Sequence, residues 1–151
     1  MTISALQATD PLTVQSELLG TLPVAQDQVV EFPEGIYGFP GARRFALLPA
    51  PRDGLFWLQS VEFSALSFLL ADPFSLFAHF HIELTEVDKA RLATVDAADF
   101  LVLAIVTMPT VPGGPCTANL HAPLLFNVRR GHGYQSIRTD DGFGIREAFA
   151  L

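Results

Sequence analysis

Two histidines and a glutamate stand at alternate positions in His79-Phe80-His81-Ile82-Glu83. On a β-strand such positions share a face, so two imidazoles and a carboxylate would point the same way, a donor set that suits zinc or iron. The alternation would also turn Phe80 and Ile82 toward a core. A solvated outer face on a half-buried strand therefore explains the pattern without a metal, and a metal site would need a fourth group from a distant segment, such as His121. Cys116, the one cysteine, can be paired on paper with His121 or His132 as thiol and base, but nothing in the sequence orients them. A buried thiol is the plain reading. From these residues one functional class is a small metal-dependent β-barrel enzyme using His79, His81 and Glu83.

Other chemistries lack their residues. Neither GIYG nor GFPG extends to a phosphate-cradling or dinucleotide-binding spacing, and no serine sits in a G-x-S-x-G elbow. With a single cysteine there is no internal disulfide and no cysteine-based zinc site, which fits a reducing compartment. No cofactor is expected.

Bulk properties narrow the class further. The 151 residues are half hydrophobic with thirteen Phe, enough apolar surface for one sizeable core. The expected organisation is a loose extension over residues 1–12 and a single domain over 13–151. No apolar run reaches the roughly 18 residues that span a bilayer. The first basic side chain is Arg43, so the N-terminus lacks the positive region of a signal peptide; a cytoplasmic protein without membrane contact is expected. The net charge of −7 disfavours nucleic acid, whose binding would have to use the basic excess near Arg43, Arg44 and Arg52 or near Arg129, Arg130 and Arg138. A basic protein would instead be attracted.

The elements that must position these residues are short. Strand patterns run over Thr13–Leu19, Thr21–Ala25, Val29–Phe32, Phe45–Pro49, Phe56–Val61, Leu66–Ala71, Phe80–Leu84, Phe100–Met108, Cys116–Leu120, Leu124–Arg129 and Tyr134–Arg138, not all of them strong. Leu66–Ala71 is apolar throughout and reads as buried on both faces. Phe74–Phe77 rounds a corner. Thr85 followed by Glu86 and Asp88, with Lys89 and Arg91 behind, has the charge order of a capped helix over 86–92. Ala97–Asp99 adds a helical turn, Gly131–Gly133 a turn, and Phe143–Leu151 a tail that docks or frays. The expected class is all-β with minor α, a small barrel-like antiparallel sheet of about nine short strands and one short helix near 86–92.

One stretch is unusually shaped. FPEGIYGF at 32–39 puts two glycines and a proline between strand patterns, with Phe32, Ile36, Tyr37 and Phe39 placed to pack at its bends. It closes a barrel or presents side chains to a partner.

Together with RRFALL at 43–48, this loop, FWLQSVE at 56–62 with LSFLLADPF at 66–74, and TANLHAPLLFN at 117–127 resemble the flagellar assembly factor FliW family, in order and spacing, over residues 14 to about 138. The resemblance implies a mostly β, barrel-like, non-enzymatic protein that binds flagellin. When freed, it would bind the RNA-binding translational regulator CsrA and antagonise it allosterically, relieving repression of flagellin synthesis. Partner contacts are then expected among the motif positions at loops and strand ends: Glu34, Tyr37, Phe39, Glu62, Asp72, Pro73 and Asn119. The chain departs from the family pattern at Cys116, where Met is common, and at His121, where Lys is common.

Overall fold

The computed structural model describes residues 11–93, 96–139 and 142–151, so most of the expected extension at 1–12 lies outside the described residues. The chain opens on a hairpin of β1 (Leu12–Ser16) and β2 (Gly20–Val24), antiparallel and separate from the main sheet. Then come β3 (Val29–Glu31), β4 (Arg44–Pro49), β5 (Leu55–Ser60), β6 (Ser67–Ala71) and a four-residue helix α1 (Pro73–Leu76). Helix α2 (Glu86–Leu92) precedes β7 (Phe100–Thr107), β8 (Cys116–Ala118), β9 (Leu124–Asn127), β10 (His132–Gln135) and β11 (Glu147–Phe149).

Pairing closes part of this series on itself. From β3 to β7 each strand is antiparallel to the next, β7 also pairs with β9, β9 with β10, and β10 returns to β3 through a parallel His132↔Glu31 bridge. The result is a seven-stranded barrel. Strands β8 and β11 continue the sheet outward from the far half of β7. The all-β barrel with minor α is therefore observed, with eleven strands among the described residues in place of about nine.

Alternation along the strands decides what lies inside. Phe45 and Leu47 of β4, Leu58 of β5, Phe68 and Leu70 of β6, Leu103 of β7 and Phe126 of β9 join one internal cluster. Their neighbours in sequence face out and are covered. The β1–β2 hairpin lies over Ala46 and Leu48, while Leu84, Leu92 and Phe80 cover Val102 and Leu125. On β6, Leu70 faces in and Ala71 faces out, and both are fully buried, as the uninterrupted apolar run requires.

Helix α2 has the expected bounds. Thr85 and Asp88 form a reciprocal cap: the Asp88 N–H donates to Thr85 Oγ1 at 3.1 Å and the Thr85 N–H to Asp88 Oδ2 at 3.0 Å. That satisfies two backbone donors a helix start otherwise leaves open. Helix α1, where a corner was expected, has Asp72 as its cap, accepting from the Phe74 N–H at 2.9 Å, and Pro73 at its first position.

Two expectations need correction. Residues 80–84 form no strand. Phe80, Ile82 and Leu84 do turn inward, but the segment lies across the outer face of the barrel and joins no ladder; alternation reports one-sided burial and does not by itself supply a hydrogen-bonding neighbour. The turn expected at Gly131–Gly133 lies at Val128–Gly131. Gly133 is inside β10, where a Cβ would sit 2.4 Å from the Phe32 ring, so this glycine serves close approach. The tail docks, since β11 pairs with β8.

Candidate functional site

Residues 32–42 close one end of the barrel. Phe32, fully buried, packs edge-on against Phe45 at 5.4 Å and Phe126 at 5.7 Å, and Ile36 is buried beside it. Burying such side chains stabilises by roughly 2–3 kcal/mol each, which offsets the entropy of ordering an irregular loop. Gly35 and Gly38, at φ +70° and +90°, supply the turns that other residues avoid.

Hydrogen bonds fix what remains. The Tyr37 N–H donates to Gln135 Oε1 at 2.8 Å, and Gln135 Nε2 donates to the Ala122 carbonyl at 3.2 Å. The Arg43 guanidinium donates to the carbonyls of Pro40 at 2.9 Å and Pro33 at 2.7 Å. Glu62 accepts the N–H groups of Arg43 at 3.3 Å and Arg44 at 3.1 Å. The loop is a held shape.

That shape presents Tyr37 at 68% exposure and Phe39 at 42%. Phe39 leans edge-on against Phe68 at 5.4 Å and, with Gly41, Ala42, Phe63, Ala65 and Leu66, lines an apolar groove of about 350 Å³. Phe63, at 50% exposure, forms part of its wall. On the loop's other side a cleft of about 370 Å³ is lined by Glu34, Tyr37, Arg91, Tyr134 and Gln135 among others. Glu34 is ion-paired with Arg91, whose guanidinium lies over the Tyr134 ring at 5.2 Å from its centre. Exposed aromatics on a rigid support, with an apolar slot beside them, are the features that anchor protein interfaces.

The helix that carries Arg91 also carries Asp88, which is part of a buried polar network. Asp88, 2% exposed, accepts from Ser136 Oγ at 2.8 Å and from Arg138 Nη1 at 2.7 Å, while Arg138 also donates to the Glu83 carbonyl. Burial pushes the Asp88 carboxyl up, but the Thr85 N–H, Arg138 and Ser136 bonds and the Arg138 charge pull it down further. It ends below its ordinary value.

Of the other expected contact residues, Asp72 and Pro73 build the start of α1, at the opposite end of β6 from the groove. Asn119 Oδ1 accepts the N–H groups of His121 at 3.1 Å and Ala122 at 3.0 Å, folding the chain after β8. Glu34, Tyr37 and Phe39 thus share the loop, Glu62 is exposed and holds the Arg43 and Arg44 N–H groups where the chain leaves it, and Asp72, Pro73 and Asn119 lie elsewhere. Sequence reasoning missed Phe63, Arg91, Tyr134 and Gln135. Arg91 was visible only as a helix-end charge, and the rest reach the loop through pairing that no local pattern reports.

The metal-enzyme residues do not assemble. His79 and His81 rest against the Phe143 ring at 5.6 and 5.3 Å, and among the described residues no three His, Cys, Asp or Glu side chains gather where they could share a metal ion. Cys116 packs with Leu55, Ala71 and Val106. His132 lies on β10 opposite Asn127 and Glu31. The two basic excesses do meet, since Arg44, Arg129 and Arg130 share a cleft of about 390 Å³, but Asp27 and Glu31 line it too. No helix among the described residues is long and apolar enough to cross a membrane.

Comparison with known proteins agrees with this fold. A family model described as FliW protein matches residues 13–149. A flagellar assembly factor FliW of Symbiobacterium thermophilum is 37% identical over 123 residues, 80% of this chain and 88% of the relative. One from Treponema denticola is 29% identical over 129 residues, 85% and 87% of the two chains. The crystal structure of a flagellar assembly factor FliW superposes with a TM-score of 0.83 at 30% identity, covering 91% of this chain and 96% of that one.

Proposed function

The chain belongs to the FliW family of flagellar assembly factors, and on that premise we propose that it is a non-catalytic, cytoplasmic partner switch. It binds flagellin, and when flagellin is withdrawn it binds a CsrA-type RNA-binding regulator and antagonises it allosterically, so that flagellin synthesis is released from repression. The observation that carries this reading is the rigid loop holding Tyr37 and Phe39 in solvent beside an apolar groove. A surface of this kind recognises protein, and among the described residues no three His, Cys, Asp or Glu side chains gather where they could share a metal ion.

The net charge of −7 supports the regulatory half. An acidic body docked beside a basic RNA-binding surface disfavours a polyanion even where the two sites do not overlap.

Purified chain mixed with flagellin and with the regulator is expected to form two complexes, the first displacing the second. Replacing Tyr37 and Phe39 together by Ala should weaken at least one complex by about tenfold or more, the loss typical of truncating interface anchors, while the fold persists with a modestly lower thermal midpoint, since Tyr37 is exposed but Phe39 gives up its edge-on contact with Phe68. Titration calorimetry with each partner reads this directly. Unaltered affinity of the double variant for both would move the contact surface away from this loop, and absence of either complex at micromolar concentration would end the proposal.

A further inference from the structure

The barrel is complete without its tail. Its seven strands pair in a ring to which neither β8 nor β11 belongs, so removing β11 costs the ring no hydrogen bond. The tail is held by β11 pairing with β8 over Glu147↔Ala118, Ala148↔Thr117 and Phe149↔Cys116. The Gly144 carbonyl also accepts from the Leu120 N–H at 3.0 Å and the His121 N–H at 3.1 Å.

Two rings anchor its ends. Phe143 lies among His79, Phe80 and His81, with centroids at 5.6, 5.2 and 5.3 Å, and Phe149 packs edge-on against Phe77 at 5.8 Å. Beneath are Phe77, Val106, Cys116, Ala118 and Leu120, all buried. Beside Phe149 an apolar trough of about 650 Å³ runs past Met108, Pro109 and Pro115, with Met108 itself 53% exposed.

We propose that residues 143–149 are a strap that leaves the barrel as a unit, uncovering along β8 a groove that accepts an extended segment with an aromatic side chain near each end. The kind of occupant is already on view, because the tail fills the groove in that manner: backbone bonds to β8 give affinity, and the two ring sites give selectivity. An uncovered strand edge next to apolar surface is a template for such addition. Two ring contacts aside, the strap is held by a three-residue ladder to a strand that is itself outside the ring, which places it toward the low-stability end of the molecule, where local opening is more frequent than global unfolding. This inference is independent of the partner-switch reading.

Cys116, the sole cysteine, reports the opening, since it is buried opposite Phe149. In the unmutated 151-residue chain, its reaction with a soluble disulfide reagent under native conditions should be faster than global unfolding allows and nearly independent of low denaturant. Phe143→Ala with Phe149→Ala should accelerate it by about tenfold or more. A labelled peptide of the tail sequence, GFGIREAFAL, should bind that double variant saturably, and wild type at least about tenfold more weakly because its groove is filled. A scrambled peptide should bind neither. Thiol reaction in wild type with the full denaturant dependence of global unfolding would overturn the proposal, and so would a folded double variant that binds tail and scrambled peptides alike. Should the double variant not fold, Phe143→Leu and the wild-type exchange kinetics decide on the same criteria.

Discussion

Asp88 is the residue on which the region behind the loop turns. Its carboxylate is buried with Arg138, a pair at 2.7 Å with side chains 2% and 9% exposed. Its folded pKa lies below the ordinary 3.8, so the folded state releases this proton more readily than the unfolded chain does. The stability it contributes is complete above the ordinary value and is lost as pH falls through the depressed one. Denaturant midpoints measured from about pH 6 down to pH 2 should therefore decline more steeply in wild type than in Asp88→Asn in the acid range. At pH 7 the variant should lose about 2 kcal/mol, because a charge-assisted hydrogen bond of a buried pair becomes a neutral one.

At the scale of elements, β10 and the loop over residues 32–42 specify each other. The strand passes under Phe32 so closely that Gly133→Ala would put a methyl group 2.4 Å from the ring. Overpacking of this kind typically costs about 1–3 kcal/mol, and it should also lower the exchange protection of the Tyr37 amide, whose acceptor Gln135 is on the same strand. Hydrogen exchange on Gly133→Ala, compared with wild type, reads both. What could be read in advance divides along the same line. Helix 86–92 was legible to the residue because its cap and its charges are contiguous, and the loop was legible from its glycines and aromatics. The segment 80–84 was misread because one-sided burial looks the same whether a chain joins a sheet or lies across it. Phe63 and Tyr134 were invisible as site residues, since the nearness of Phe63 to Phe39 and of Tyr134 to Tyr37 exists only once β3, β4, β5 and β10 are side by side.

For the whole molecule, charge and surface have different parts to play. With nine basic and sixteen acidic side chains, the chain repels polyanions at long range, and the one cleft where Arg44, Arg129 and Arg130 meet is crossed by Asp27 and Glu31. Direct RNA binding should be undetectable in a mobility-shift assay at about 150 mM salt, where charges more than about 8 Å apart are largely screened, and lowering the salt should not bring it out. An RNA complex strengthening at low salt would show that the cleft outweighs the global charge. What the surface offers instead is short-range and apolar: Tyr37, Phe39 and Phe63 are exposed aromatics on the barrel's closing loop or beside its groove.

The junction between β3 and β10 governs how this molecule comes into being. Those two staves come from opposite thirds of the chain, meet in parallel, and share the one register pair His132↔Glu31, whereas the antiparallel run from β3 to β7 joins sequence neighbours. Loop closure makes distant pairings slow to form. The seam is therefore the pairing expected to be drawn shut last, and Phe32, buried between β4 and β9 across it, is the clasp that fastens it.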